Sequence, residues 1–450
     1  MAGTGWCDAL TSRCSNSTRR PAIALTVKTL FNAVQPLRGF VCQDCALVHE
    51  GAAMRIDIKL RADARTRPRC PVCSRPAPGY DRQPQRSWSF IRLWGIAVDL
   101  VYEPRRVQCR HTPECGVRVE SMPWSEGKHH ASRALIIFLA QWARRLSWKE
   151  TSQVFKVSWE MVYRSVEWTV AYGLANRVLD GITALGVDEL HWGRGKKSGN
   201  FITLIYQIDA GCRRLLWAGH SRTEKCLRQG IAELGVQTLQ SVRFVCSDMW
   251  KPYLKVIRSL LPQALNILDK FHIVAHLNTA VDTVRRAEVG ALRKGKDAAR
   301  ARQLKKMRWN VLRSPRRVRG KARQRLKELI RSKSATARAW ILKESFMHFW
   351  TYRSLTWAFG YLDSWVTLAL RSRLEPMKKV ARMLRSHREL LGNYFRARKL
   401  YNSGVVEGLN LKCNLVKRRA YGLRTFKALQ IALYHNLGQL PEPKLTHRFC

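Results

Sequence analysis

The chain has 450 residues, enough for roughly two to four domains and a sizeable core. Its 81 lysines and arginines against 32 acids give a formal charge of +49, a self-repulsion that calls for a polyanionic partner, nucleic acid before an anionic membrane. The N-terminus MAGTGWCDAL lacks the charged and apolar regions of a secretory signal. The most apolar runs, IIFLAQWARRL and LTWAFGYLDSWVTLAL, are shorter than the roughly 20 apolar residues a span needs. The expectation is therefore a bacterial-type cytoplasmic, nucleoid-associated protein without membrane contact.

In chain order, residues 1–40 read as a poorly structured lead-in. Residues 41–125 carry strand-like segments (MRIDIKL, FIRLWGIAVDLVY) and most of the paired cysteines. An odd count of 13 cysteines in a long chain with CxxC spacing favours metal over disulfides. A CxxC knuckle suits tetrahedral zinc because its tight turn aims two thiolates at one ion. Cys70 and Cys73, in RCPVC, precede a hairpin that returns the chain to Cys109 and Cys115, so these four are the favoured Zn²⁺ ligands of a zinc ribbon-like module. The rival set joins Cys42 and Cys45 to Cys70 and Cys73, with His49 and His111 as substitute ligands.

Residues 130–175 read as three helices. SRALIIFLAQWARRL is amphipathic, S-W-K-E at Ser147–Glu150 is a capping box, and Ser158 can cap WEMVYRSVEWTVAYGL. A tight turn before the third helix fits a helix-turn-helix DNA-binding unit that presents Glu160, Tyr163, Arg164 and Glu167.

From 180 to 275 three strand-like runs precede alternating helices and strands, the order of an RNase H-like mixed sheet. Asp188 ends the apolar run ALGV, and Asp248 ends VRFVCS. Each carboxylate is expected at the edge of neighbouring strands, within reach of shared Mg²⁺ or Mn²⁺, which prefer such hard oxygen ligands. Glu189 and Asp209 are possible alternatives to these ligands. Residues 276–400 read as a basic, all-helical insertion; residues 281–340 hold 21 basic residues and 4 acids, yet their apolar positions recur at helical spacing. The second part of the core, residues 401–436, carries Glu407 on a helix followed by Lys412, Lys417, Arg418, Arg419 and Arg424, candidate DNA contacts. Residues 437–450 form a tail. Trp250, Tyr421 and Phe426 could stack on frayed bases or pack in the core. Asp269 and His272, in DKFH, read either as a helix cap with a satisfied histidine or as groups near a scissile phosphate.

RCPVC with the later C-x5-C, GVDE, SDMW-x2-Y, LDKFHIVAHLN-x3-D-x-VRR and the block NSGVVEGLN-x-K-x3-KRRAYGLRTF together resemble the ISL-three family of bacterial insertion-sequence transposases. The resemblance runs from about residue 65 to 436 and leaves Cys42, Cys45 and the preceding residues outside the pattern. It implies a multidomain α+β and α/β chain: a zinc module, a helix-turn-helix and an RNase H-like DDE core. Asp188, Asp248 and Glu407 would form the metal-binding triad, and Asp269 and His272 the family's D-x-x-H element. The implied activity is Mg²⁺-dependent cleavage and strand transfer at terminal inverted repeats and target DNA, by a homodimer or higher oligomer. The alternatives are a DNA-binding regulator without catalysis and another RNase H-like DNA nuclease.

Overall fold

The structure is a computed structural model that describes residues 26–51, 53–192, 200–401, 404–420 and 422–444. Cys7, Cys14, Asn402, Ser403, Tyr421 and Cys450 lie outside the described residues. The chain divides into two compact units, with the boundary after Ser165.

The first unit opens with helix α1 (Val27–Val34), whose N-cap Thr26 exchanges capping-box bonds with Thr29. Its Phe31 is buried against the first sheet, so part of the expected lead-in is folded. A capping box plus one large apolar anchor is enough to dock a two-turn helix that propensity alone would not hold. The sheet has the order β1-β2-β5-β4, with β1 Phe40–Glu50, β2 Ala53–Ala62, β4 Arg86–Leu93 and β5 Ile96–Tyr102. Ile56, Ile58 and Leu60 alternate along β2 and meet Trp88, Val98, Leu100 and Trp124 in one core, as the two-residue period of a strand requires. A smaller sheet follows the order β3-β6-β7, with β3 Gly79–Arg82, β6 Arg105–Cys109 and β7 Gly116–Val119. Three helices come next, α2 (Arg133–Ala143), α3 (Trp148–Val154) and α4 (Trp159–Ala175). Ser147 and Glu150 form the expected capping box, and Ser158 Oγ accepts the N–H of Met161 at 3.1 Å.

The second unit is built on a five-stranded mixed sheet of order β10-β9-β8-β11-β12. Its strands are β8 Ala184–His191, β9 Phe201–Asp209, β10 Cys212–His220, β11 Phe244–Ser247 and β12 Leu265–Leu268. The first three pair antiparallel; β11 runs parallel to both β8 and β12. Parallel neighbours need crossovers, supplied by α5 (Glu224–Ala232) and α6 (Val236–Ser241), then by α7 (Lys251–Leu260). Leu185, Val187, Ile205, Leu227, Val245 and Tyr253 pack between sheet and helices.

After β12 the chain enters eight helices: α8 (Lys270–Lys294), α9 (Ala298–Lys306), α10 (Arg308–Leu312), α11 (Gly320–Arg331), α12 (Ala335–Phe346), α13 (Leu355–Arg371), α14 (Glu375–Ser386) and α15 (Arg388–Arg396). They enclose their own core, with Phe346, Phe349, Trp365 and Leu384 buried at its centre. The helices start at 270 rather than 276 because Asp269 caps α8 by accepting the N–H of Phe271. Helix α16 (Gly404–Arg419) then returns to lie on β8 and β9, and α17 (Phe426–Leu437) on β10. Gly186 permits this return: a Cβ there would stand 2.5 Å from Val406 Cγ2. Among the described residues no helix is long and apolar enough to cross a membrane.

Candidate active site and metal centre

The cysteine module of the first unit is assembled locally. Cys70 and Cys73 sit in a turn where Ser74 N–H donates to Cys70 O at 2.9 Å and Ser74 adopts φ 59°. Cys109 closes β6, and Cys115 sits just before β7. The four sulfurs lie within 4.8 Å of one another, with Cys73 and Cys109 at 3.6 Å. Four soft sulfur ligands on two knuckles match tetrahedral zinc. The Thr112 hydroxyl, 2.9 Å from Cys115 Sγ, holds that thiol down to about 7, toward the thiolate that binds metal.

The rival set is not formed. Cys42 and Cys45 face each other on β1 with their sulfurs 3.4 Å apart, brought to one side by an irregularity between Cys42 and Asp44. Neither joins the tetracysteine cluster, and burial pushes the Cys42 thiol up to about 12. His49 lies on β1, and His111 Nε2 is 3.4 Å from Pro76 O; neither is a ligand of the cluster.

In the second unit, strand register gathers acids at one level. Phe244 pairs with Ala184 and Cys246 with Gly186; continuing that register sets Asp248 opposite Asp188. Phe244 also pairs with Leu265 and Ser247 with Leu268, which sets Asp269 opposite Asp248. Parallel strands stand about 4.8 Å apart, so three adjacent strands deliver three carboxylates to one edge. Burial pushes the Asp188 carboxyl up to about 6; the N–H of Glu189 and His272 oppose the shift, while Asp269 and Asp248 add to it.

Each carboxylate has a defined partner. Asp188 Oδ1 accepts the N–H of Glu189 at 2.8 Å, and its Oδ2 accepts Nδ2 of Asn410 on α16 at 2.6 Å. The side-chain oxygen of that asparagine accepts the hydroxyl of fully buried Tyr206 at 2.6 Å. The carboxylate can only accept, so the amide must turn its NH₂ toward Asp188. Asp248 Oδ1 accepts the N–H of Trp250 at 3.0 Å. Asp269 caps α8 through Oδ1, at 2.6 Å from Phe271 N, and His272 Nε2 lies 3.7 Å from its Oδ2. The helix cap of the DKFH reading is present, and His272 stands beside Asp269 at the acidic edge.

Glu407 is exposed in the first turn of α16, three residues before Asn410. Positions i and i+3 share a helix stripe, so the bond from Asn410 to Asp188 brings the turn bearing Glu407 toward β8. Among the described residues, Asp188, Asp248 and Glu407 are not all drawn within 4.8 Å of one another.

The two alternative acids have partners of their own. Asp209 sits at the other end of β9, where its carboxylate accepts from the N–H and hydroxyl of Thr183 and from Gln207. Glu189, one residue on from Asp188, points to the opposite face of β8 and lies 2.7 Å from Arg222 Nε. Burial, then the charge of Asp248, pushes the Glu189 carboxyl up to about 8, while Arg222 opposes the rise. Asn410 and Arg222 were not singled out in the sequence. The signals for Asn410 are its place three residues after Glu407 and its membership of the NSGVVEGLN block, and Arg222 shows none.

Several candidate DNA contacts have internal roles. Tyr163 is half-buried and stacks on the exposed Trp159 with ring centroids 5.5 Å apart. Arg164 pairs with Glu160 at 2.8 Å, and Glu167 pairs with Lys427. Lys417 donates to His191 O at 2.6 Å and Arg419 to Asn436 Oδ1 at 2.8 Å, both fastening α16. Lys412, Arg418 and Arg424 are exposed. Trp250 packs on Tyr253, and Phe426 on His220.

The family model described as Transposase, of the ISL-three DDE type, matches residues 185–433, from β8 to α17 and through the whole helical block. The transposase for insertion sequence element IS1557 of Mycobacterium tuberculosis is 26% identical over 403 residues, covering 84% of this chain and 88% of that protein. The transposase for insertion sequence element IS1001 of Bordetella parapertussis is 26% identical over 336 residues, covering 74% of this chain and 80% of its own. With the family model spanning more than half of its length, the chain belongs to the ISL-three family of insertion-sequence transposases.

Proposed function

We propose that the protein binds the terminal inverted repeats of its element and catalyses metal-dependent DNA cleavage and strand transfer in an RNase H-like core. The observation that carries this reading is the shared register of Asp188 and Asp248 on adjacent strands, with α16 tied to Asp188 through Asn410. Asp188, Asp248 and Glu407 would hold Mg²⁺ or Mn²⁺, for which carboxylate oxygens are fitting ligands. Bound there, such ions activate a water or a 3′-hydroxyl and stabilise the leaving oxygen.

The chain's own residues do the positioning. Asn410 and the Glu189 N–H fix the Asp188 carboxylate, and the Trp250 N–H fixes that of Asp248. Asp269 and His272 stand beside the same edge. The tetracysteine cluster would hold Zn²⁺ and keep its small sheet folded. The three helices α2–α4 and the exposed Lys412, Arg418 and Arg424 would contact DNA, and the basic helices between β12 and α16 would clamp an end, in a dimer or larger assembly. Phosphate contacts position DNA while base contacts specify it, and counterion release makes such binding steeply salt-dependent.

The test is incubation of the purified protein with a labelled inverted-repeat end and Mg²⁺. Cleavage and joining lost in Asp188→Asn supports the reading. Binding without cleavage by the unaltered protein points instead to a regulator, and cutting of branched DNA without joining to a structure-specific nuclease. Cleavage undiminished in Asp188→Asn overturns the assigned site.

A further inference from the structure

Arg222 lies in the short loop between β10 and α5 and reaches into the acidic edge from the face opposite α16. Its approach is built, not incidental. The preceding Ser221 adopts φ 134°, a conformation that costs a non-glycine residue energy and persists only where its surroundings enforce it. The enforcing contact is a 2.7 Å bond from the buried Thr203 hydroxyl to Ser221 O, and Thr203 is itself 2.7 Å from the buried hydroxyl of Tyr253. The guanidinium carbon then stands 4.4 Å from the Trp250 ring centroid, a cation–π contact that fixes its plane.

The guanidinium is shared unequally between two acids. Nε is 2.7 Å from Glu189 Oε2, an ion-pair approach without hydrogen-bond alignment, while Nη2 donates to Asp248 Oδ2 at 3.4 Å. Asp248 Oδ1 already accepts the Trp250 N–H, so Oδ2 is the oxygen open to a cation. A divalent ion binding Asp248 through that oxygen competes directly with Arg222. The longer, 3.4 Å contact is the one that yields, and the Trp250 ring keeps the guanidinium beside the site when Asp248 is lost. A planar guanidinium kept beside a carboxylate-bound ion meets the anionic phosphate that the ion attracts, and its donor fork matches two phosphate oxygens.

We propose that Arg222 is a displaceable counter-ion and a phosphate ligand of this site: it competes with the divalent ion for Asp248 and turns its freed Nη2 to a non-bridging oxygen of the reacting phosphate. The inference rests on the reading of Asp188, Asp248 and Glu407 as metal ligands. No covalent bond is made or broken at Arg222. An ion pair that served folding alone would make two different predictions. Its loss would leave metal affinity unchanged or weaken it, and lysine would replace it without cost to the reaction.

The experiment uses the full, zinc-loaded chain and two measurements: Mn²⁺ affinity without DNA, read by calorimetry, and single-turnover cleavage of a labelled end. Arg222→Gln is expected to bind Mn²⁺ on the order of tenfold more tightly, the scale of a unit charge about 5 Å from a dication in a water-like dielectric. It is expected to cleave on the order of 100-fold more slowly at saturating Mn²⁺, the scale of one lost transition-state donor. Arg222→Lys keeps the charge without the fork; it should bind Mn²⁺ like the unaltered protein and still cleave about tenfold more slowly. Unchanged or weaker Mn²⁺ binding in Arg222→Gln overturns the proposal, as does normal cleavage by either variant. If the glutamine variant does not fold, the lysine variant decides by its cleavage rate alone. Asp248→Asn separates the two readings. Should it bind Mn²⁺ normally, the metal-ligand assignment fails and the inference with it. Should it lose the ion while Arg222→Gln shows no tightening, the role of Arg222 fails alone.

Discussion

The tetracysteine cluster and the acidic edge, the two proposed ligand sets, are built by opposite means. The four cysteines come from one stretch of fewer than fifty residues and already lie within 4.8 Å of one another. A thiol carries no charge until it loses its proton and packs as a small hydrophobe, so four converge with less repulsion than carboxylates, even with Cys115 held down to about 7. The acids come from segments on both sides of a long helical block, and Glu407 follows Asp248 by 159 residues. Carboxylates repel one another, so their oxygens are met by Asn410, Arg222 and backbone N–H groups. A soft, local site is assembled by its own turns; a hard, distributed site depends on residues that are not ligands.

The comparison breaks first at its strongest point. Replacing Cys109 by Ser removes one of four sulfurs from a site whose zinc contributes about 10–16 kcal/mol in small structural modules. The expected result is loss of bound zinc, measured by atomic absorption, together with loss of the high-temperature melting of the first unit. Zinc content unchanged in that variant would show that the four sulfurs are not one site. Replacing Glu407 by Gln should act differently, leaving fold and DNA-end binding intact while single-turnover cleavage falls on the order of 10³-fold, the rate equivalent of several kcal/mol of metal stabilisation. Full cleavage by that variant would remove the helix acid from the ligand set.

The same contrast explains what could be read from the sequence. CxxC spacing announces a local metal site, and both the favoured and the rival cysteine pairs were visible in it. Apolar runs ending in Asp188 and Asp248 announced two strands, and the order of runs implied that they were neighbours. Spacing alone does not carry a choice between cysteine pairs, because that depends on which strands form hairpins; β1 and β2 pair with each other and keep Cys42 and Cys45 away from the turn at Cys70. Nor does it show Arg222, whose partners Glu189 and Asp248 are 33 positions upstream and 26 downstream in the chain. Helix α1 was hidden because its stability comes from Phe31 meeting a sheet that folds after it in sequence.

Asn410 sharpens the dependence of the acidic edge on residues that are not ligands. Removing its amide by Asn410→Ala leaves Asp188 free to rotate and loosens α16 from β8. Groups that orient metal ligands typically matter by 10–100-fold, so cleavage should fall by about that factor, with DNA-end affinity unchanged. Tyr206→Phe should act more weakly through the same path, since it removes one bond worth about 1 kcal/mol, roughly fivefold in rate. If Tyr206→Phe were as damaging as Asn410→Ala, the tyrosine would be supporting the packing of β9 rather than the amide's orientation.

The smallest effect is expected where sulfur is present but a site is not. Cys42 and Cys45 are as close as any two cysteines of the cluster, at 3.4 Å, yet zinc in a structural site takes four ligands, and no third joins them among the described residues. Proximity without coordination number should not hold the ion. Cys45→Ser is therefore expected to leave zinc stoichiometry unaltered. Because Cys45 is only half-buried, the cost in stability should stay within about 1 kcal/mol, measured as a small shift in the denaturation midpoint. A drop in zinc content on that substitution would mean that the N-terminal sheet carries a second metal site, and the contrast between one local soft site and one distributed hard site would have to be redrawn as two soft sites against one.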